Sequence, residues 1–136
     1  MSTEPFDRIW DNYLPESAKE SPAIICSLLE LLCKNRDSAD VIADFFVSAE
    51  EETKAEIEEP IHLTSYNLEK DSRIDFEIHK DEAQRLHVIE GTMEIVFGKN
   101  KKIVKAGEVF PIPKNTKHGV FAHGGSARAW SDYPTE

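Results

Sequence analysis

Hydrophobic and polar positions change their period once along this chain, near Pro60. Before it the spacing is helical. Phe6, Ile9, Trp10, Tyr13 and Leu14 recur at i, i+3, i+4, i+7 and i+8, and Pro15 stops the run. A second helix is predicted from about Pro22 to Lys34, with Ile24, Ile25, Leu28, Leu29, Leu31 and Leu32 on an arc wide enough to need burial on more than one side. A third begins near Asp37 or Ser38 and carries Val41, Ile42, Phe45 and Phe46. Ser48-Ala49-Glu50-Glu51 has the spacing of a capping box and predicts a short acidic helix reaching Glu58.

From Ile61 onward the period is two. Strands are predicted at 61–68, 72–79, 84–90, 92–98, 101–105, 108–112, 118–122 and 127–132. Gly98-Lys99-Asn100-Lys101 reads as a hairpin tip, and Gly91 as a bend between two strands. Pro111 and Pro113 oppose a central strand around Ile112 and fit a loop leading to His118. Many short strands with frequent turns indicate a barrel or sandwich. The predicted fold class is therefore α+β, mainly β: a helical segment, residues 1–59, followed by a β-barrel domain, residues 60–136. Alternation places Glu77 and His79 on one strand face and Ile74, Phe76 and Ile78 on the other. With the apolar row outward, the helices are expected to cover it, and any surplus apolar area to be buried in a homodimer.

Two motifs in the second half carry the chemistry. One is Glu77-x-His79-x4-Gln84-x6-Gly91; the other is Gly107-x5-Pro113-x-Asn115-x2-His118-x3-Ala122. Both spacings resemble the paired motifs of the cupin superfamily, in which His-x-His, Glu and Gly are followed by Gly, Pro, Gly, His and Asn. The resemblance implies a jelly-roll barrel whose interior holds one divalent metal. Its four ligand positions fall here on Glu77, His79, Gln84 and His118. Imidazole with carboxylate or amide oxygen suits Fe, Mn, Ni or Zn as the divalent ion. One carboxylate is kept, at the first position instead of the third, and the neutral amide of Gln84 is a weaker donor. A Gln among the His ligands resembles the cupins that convert unsaturated uronates, while Glu77 departs from the family pattern. The other reading is a metal-free barrel that binds a ligand or only packs, with Ile74, Phe76 and Ile78 facing the core and Glu77 and His79 facing solvent.

Charge is unevenly placed. Residues 1–59 hold 15 acidic and 5 basic side chains, a net of −10, whereas 60–136 hold 11 of each. That balance argues against nucleic acid and against anionic membranes as partners. It reads either as a solvated face or as a docking surface for a basic protein. No apolar run approaches the roughly 18 residues that span a bilayer, and Met1-Ser2-Thr3-Glu4 lacks the features of a secretory signal, so a cytoplasmic location is expected. Cys26 and Cys33, about 10 Å apart along one helix, are expected as buried thiols beyond disulfide reach. His87 falls on the strand face opposite Gln84, outside the barrel. His62 and His123 are expected in ordinary polar contacts, and Trp130 in packing.

Two function classes follow. One is a metal-dependent enzyme acting on a small carbonyl or carboxylate metabolite, with isomerase-like or dioxygenase-like chemistry. The other is a non-catalytic, ligand-sensing regulatory protein whose acidic helices dock a partner. The latter looks like the anti-sigma factors that join a helical domain to a cupin, although their helical zinc cluster has no counterpart in residues 1–59.

Overall fold

The computed structural model describes residues 4–49, 52–59, 61–70, 72–77 and 83–133, with the backbone alone at 74–77. Helices α1 (Glu4–Asn12), α2 (Glu16–Lys19), α3 (Pro22–Lys34) and α4 (Ala39–Ala49) precede nine strands. These are β1 (Lys54–Ile57), β2 (Leu63–Leu68), β3 (Arg73–Glu77), β4 (Gln84–Glu90), β5 (Thr92–Phe97), β6 (Asn100–Lys105), β7 (Val109–Ile112), β8 (His118–Ala122) and β9 (Ala127–Asp132). They form a five-stranded sheet, β1-β2-β9-β4-β7, and a four-stranded sheet, β3-β8-β5-β6, antiparallel throughout. This is the helix-first, strand-second α+β order that the change of period predicts, with the jelly roll that the cupin resemblance implies. No helix among the described residues is long and apolar enough to cross a membrane.

Alternation along the strands divides the protein into two cores. Inward positions Tyr66 and Leu68, Leu86 and Val88, Met93 and Ile95, Val120 and Ala122, and Ala127 and Ala129 fill the space between the sheets. Outward positions Leu63, Ile89 and Trp130 of the five-stranded sheet join Ile9, Tyr13, Ile24, Leu28, Ile42 and Phe46 in a second core beneath the helices. The helices thus pack on the barrel exterior, against the five-stranded sheet; the side chains of the row Ile74, Phe76 and Ile78 lie outside what the structure describes. Phe46 meets Trp130 edge-on with ring centroids 5.3 Å apart, a preferred aromatic geometry.

Polar contacts fix the layer's position. Ser21 caps α3 by accepting from the Ile24 amide at 3.3 Å, and its hydroxyl donates to the Gly107 carbonyl at 2.7 Å. Ser17 Oγ donates to the Ile89 carbonyl at 2.6 Å, and Arg128 Nη2 to the Tyr13 carbonyl at 2.8 Å. Gly91 sits at φ +74° in the turn between β4 and β5, where an added Cβ would lie 2.3 Å from the Ser126 carbonyl oxygen. Only glycine fits both restraints.

Three expectations are corrected. The acidic helix through Glu58 is replaced by strand β1, paired with β2. Asn67 Nδ2 of β2 donates to the carbonyls of Ala49 and Glu52, both at 2.8 Å, and so holds the end of α4 and turns the chain into the sheet. Ser48 bonds back to the Phe45 carbonyl at 3.2 Å instead of capping a new helix. Cys26 and Cys33 are exposed, not buried, because α3 buries one face through Ile24, Leu28, Leu31 and Leu32 and leaves Leu29 42% exposed on the other. Strict alternation also fails in β3, where a register irregularity between Ile74 and Glu77 sets Ile74 opposite Val120 and Glu77 opposite His118.

Candidate functional site

The barrel interior is polar at one end. Thr64 and Tyr66 of β2, Gln84 of β4, Ser131 of β9, Tyr133 just beyond it and His118 of β8 are all buried there. Antiparallel register brings them together: Thr64 lies opposite Ser131, and Gln84 opposite Ile112. The chain leaves β7 at Ile112 and re-enters the barrel at His118, so the second motif's histidine returns to the end where Gln84 stands.

Gln84 is held tightly. Its amide nitrogen donates to Ser131 Oγ at 2.7 Å and to the Tyr66 hydroxyl at 3.2 Å. Its Oε1 is buried with no hydrogen-bond partner among the described residues. Leaving a carbonyl oxygen desolvated costs about 1–3 kcal/mol, and two hydroxyls hold it in that state. His118 Nδ1–H donates to the Thr116 carbonyl at 3.0 Å. A carbonyl can only accept, so Nδ1 carries the proton in this bond and the ring is oriented as metal-binding histidines are by an outer carbonyl. A further bond joins Thr64 Oγ1 and the Tyr133 hydroxyl at 2.7 Å, and Tyr133 stacks on His62 at 3.7 Å. His62 Nε2 lies 2.6 Å from Glu56 Oε2, the ordinary polar contact expected of it.

Of the four sequence-derived ligand positions, Gln84 and His118 lie buried at this end. Glu77 takes the register position opposite His118. His79 lies outside the described residues. Among the described residues no three of His, Cys, Asp and Glu converge as a metal cluster. Sequence reasoning missed Tyr66, Thr64, Ser131 and Tyr133. Parity could have found them, since Tyr66 alternates with Leu68, and Ser131 with Ala127 and Ala129. Asn115 stands where the resembled motif has glycine, and its φ of +62° explains the choice, because asparagine tolerates the left-handed region better than other side chains.

The outer side of the same strands carries a different cluster. His87 is fully buried and stacks on Trp130 at 3.8 Å, and its Nε2–H donates to Asp132 Oδ1 at 2.9 Å. Arg85 grips both oxygens of Asp132. Burial pushes the imidazole below its ordinary range against the pull of Asp132. Burial also works to raise the Asp132 carboxyl, but hydrogen bonds from His87 and Arg85 outweigh it and hold the group below the usual value. His87 is therefore outside the barrel as expected, yet sealed beneath the helices. A hollow of about 440 Å³ lies between Asn67, Glu69, Glu90 and Arg128. Arg128 there already donates to Asn67 Oδ1 and the Tyr13 carbonyl, and none of the motif residues lines it.

Comparison with known proteins agrees with this geometry. Residues 65–130, which contain both motifs, match the family model described as a cupin domain. That segment is a cupin domain, and the helices of residues 4–49 precede it. Solved structures of similar fold include the cupin domain of Schizosaccharomyces pombe Cnp3, at TM-score 0.54 and 16% identity over 61% of this chain and 64% of that one. A Bacillus halodurans protein matches at TM-score 0.50 and 25% identity, over 56% of this chain and 64% of the other. A cupin 2 conserved barrel domain protein from Salinispora arenicola matches at TM-score 0.52 and 13% identity, over 60% and 74% of the two chains. The chain spans just under two thirds of the first two of these relatives. No relative is found among curated proteins.

Proposed function

We propose that the cupin domain holds one divalent metal, Fe, Mn, Ni or Zn, through Glu77, His79, Gln84 and His118, and with it binds or transforms a small carbonyl- or carboxylate-type metabolite. The observation that carries this reading is the buried, unpartnered Oε1 of Gln84. An oxygen donor and an oriented imidazole suit a borderline ion. The ion would supply Lewis acidity to a carbonyl, enol or carboxylate oxygen. The chain's own residues do the rest. Ser131 and Tyr66 keep the Gln84 amide from turning, and the Thr116 carbonyl holds the His118 ring through its Nδ1–H. The hydroxyls of Thr64, Ser131 and Tyr133 line the polar end, while Leu86, Val88 and Val120 exclude water behind it. Elemental analysis of the purified full chain tests the reading. One equivalent of metal is expected in the wild type and none in folded His118→Ala; equal metal content in both would end the proposal.

The second reading, a ligand-sensing regulator without catalysis, has one observation of its own. Strand β4 carries Gln84 into the barrel and Arg85 and His87 toward the helical layer. A change at the site is thereby one residue away from the acidic helices, which would dock a protein partner. Turnover of no carbonyl or carboxylate substrate by metal-loaded protein, together with ligand-dependent capture of a basic protein, would favour it.

A further inference from the structure

The outer cluster does something that close packing alone does not require. Trp130 is fully buried in the core shared with α1, α3 and α4, and its Nε1–H has no partner among the described residues. His87 lies directly opposite it across β4 and β9, with the two rings 9° from parallel. The ring's Nε2–H is spent on Asp132, which leaves Nδ1 as a buried acceptor, also without a partner. Asp132 in turn is neutralised by Arg85, so a second proton on the imidazole would leave the cluster with a net positive charge in a dry layer. Its new Nδ1–H would face no acceptor among the described residues.

We propose that the stack of His87 on Trp130 is an acid-sensitive latch holding the helical layer to the five-stranded sheet, opened by protonation of the imidazole at Nδ1. The charged groups acting on that ring are Asp132 of β9 and Arg85 of β4. From α3, Glu30 acts on Arg85, and its carboxylate is exposed and paired with Lys34. Helix α2, which packs on β4, carries Glu16 and Lys19, paired with each other at 3.6 Å. Helices α1 and α4 present Tyr13 and Phe46 to this core, which absorb no charge. Hydrating a protonated His87 therefore requires separating the helices from the sheet. The barrel's own strands, pinned through β5 and β8, need not part.

The sign follows from burial. An imidazole favoured neutral in the closed form binds its proton more readily when the layer opens. Closure is then fully favoured above the ordinary histidine value of about 6.5 and weakens roughly ten-fold per pH unit below it, down to the closed-form value. By pH 5 the loss reaches at most about 30-fold. The latch stands apart from the metal reading, since neither ring reaches the barrel interior.

Full-length protein carrying Trp10→Phe leaves Trp130 as the sole indole and tests the latch. Its emission is expected to shift toward that of exposed tryptophan below pH 6.5 with a one-proton dependence. Amides of α3 at Leu28 and Leu31 should exchange faster there, after correction for intrinsic rates, while the Ile95 amide in β5 stays protected. Adding His87→Phe, which keeps a stacking ring but cannot titrate, should flatten both responses until the carboxylates protonate. Identical pH profiles with and without His87→Phe would overturn the latch, as would Ile95 opening in step with α3. If the His87→Phe chain does not fold, NMR titration of the imidazole decides: a His87 that protonates at or above pH 6.5 with α3 still protected overturns it, and one that stays neutral until α3 opens supports it.

Discussion

The two faces of the five-stranded sheet solve opposite problems with neighbouring residues. On the outer face, Asp132 accepts from both Arg85 and His87, and the aromatic surface of Trp130 is closed by Phe46 and the helices. On the inner face, Ser131 and Tyr66 spend their hydrogen bonds on the nitrogen of Gln84, which leaves its oxygen buried and available. The outer face gains closure from packing and charge pairing. Each face also keeps buried polar atoms with no partner among the described residues: Gln84 Oε1 inside the barrel, and His87 Nδ1 and Trp130 Nε1 outside it. A buried polar atom without a partner calls for a reason, and inside the barrel the proposed metal would supply one. Burial alone therefore does not separate the two faces, and neither does an unmet polar atom. What separates them is that the inner acceptor shares its end of the barrel with the motif histidine His118, whereas the outer atoms sit among packed aromatic rings.

The largest expected effect breaks the outer face. Phe46 is fully buried against Tyr13, Phe45 and Trp130. Phe46→Ala should cost about 3–5 kcal/mol in urea denaturation, yet leave metal binding by the surviving folded fraction unchanged. Asp132→Asn should cost about 2 kcal/mol by depriving Arg85 and His87 of an ionised partner. Because the folded carboxyl lies below its ordinary value of 3.8, this difference is full above that pH and shrinks as pH falls through the folded value, which denaturation at several pH values would show. Gly91→Ala, with Ser126's carbonyl in the way, should cost about 1–3 kcal/mol by the same assay without touching either face.

These predictions rest on features of unequal legibility. Helix α3, the strand parity of Gln84 and the return of the chain at His118 could be read directly, because apolar spacing and Pro and Gly positions encode them locally. The outward position of His87 was also legible, but its sealing under the helices was not, since a strand pattern does not say which sheet receives a helical layer. Strand β1 was hidden because its start depends on Asn67, eighteen residues beyond Ala49. The irregularity in β3 was hidden for a related reason: alternation assumes an unbroken pleat, whereas pairing with β8 sets the register. The hydroxyl partners of Gln84 come from two other strands, so no spacing along one segment marks them.

A smaller change sharpens the inner face. Ser131→Ala should cost only about 1 kcal/mol in stability, because one neutral hydrogen bond is lost. It should weaken metal affinity more than stability, since the Gln84 amide is then free to turn its oxygen away. Isothermal titration of the metal-stripped variant and wild type would measure the affinity, and urea denaturation the stability.

The central claim is that the polar end of the barrel is built around a ligand-accepting Gln84 and His118. Titrating metal-stripped, full-length protein with Co(II) and following its visible absorption tests this most directly, because the band reports inner coordination by protein donors. The account predicts saturation at one equivalent, with the band lost in folded His118→Ala and altered in Gln84→Leu. A spectrum indistinguishable from free aqueous Co(II) in the wild type, or one that both variants retain unchanged, would contradict it.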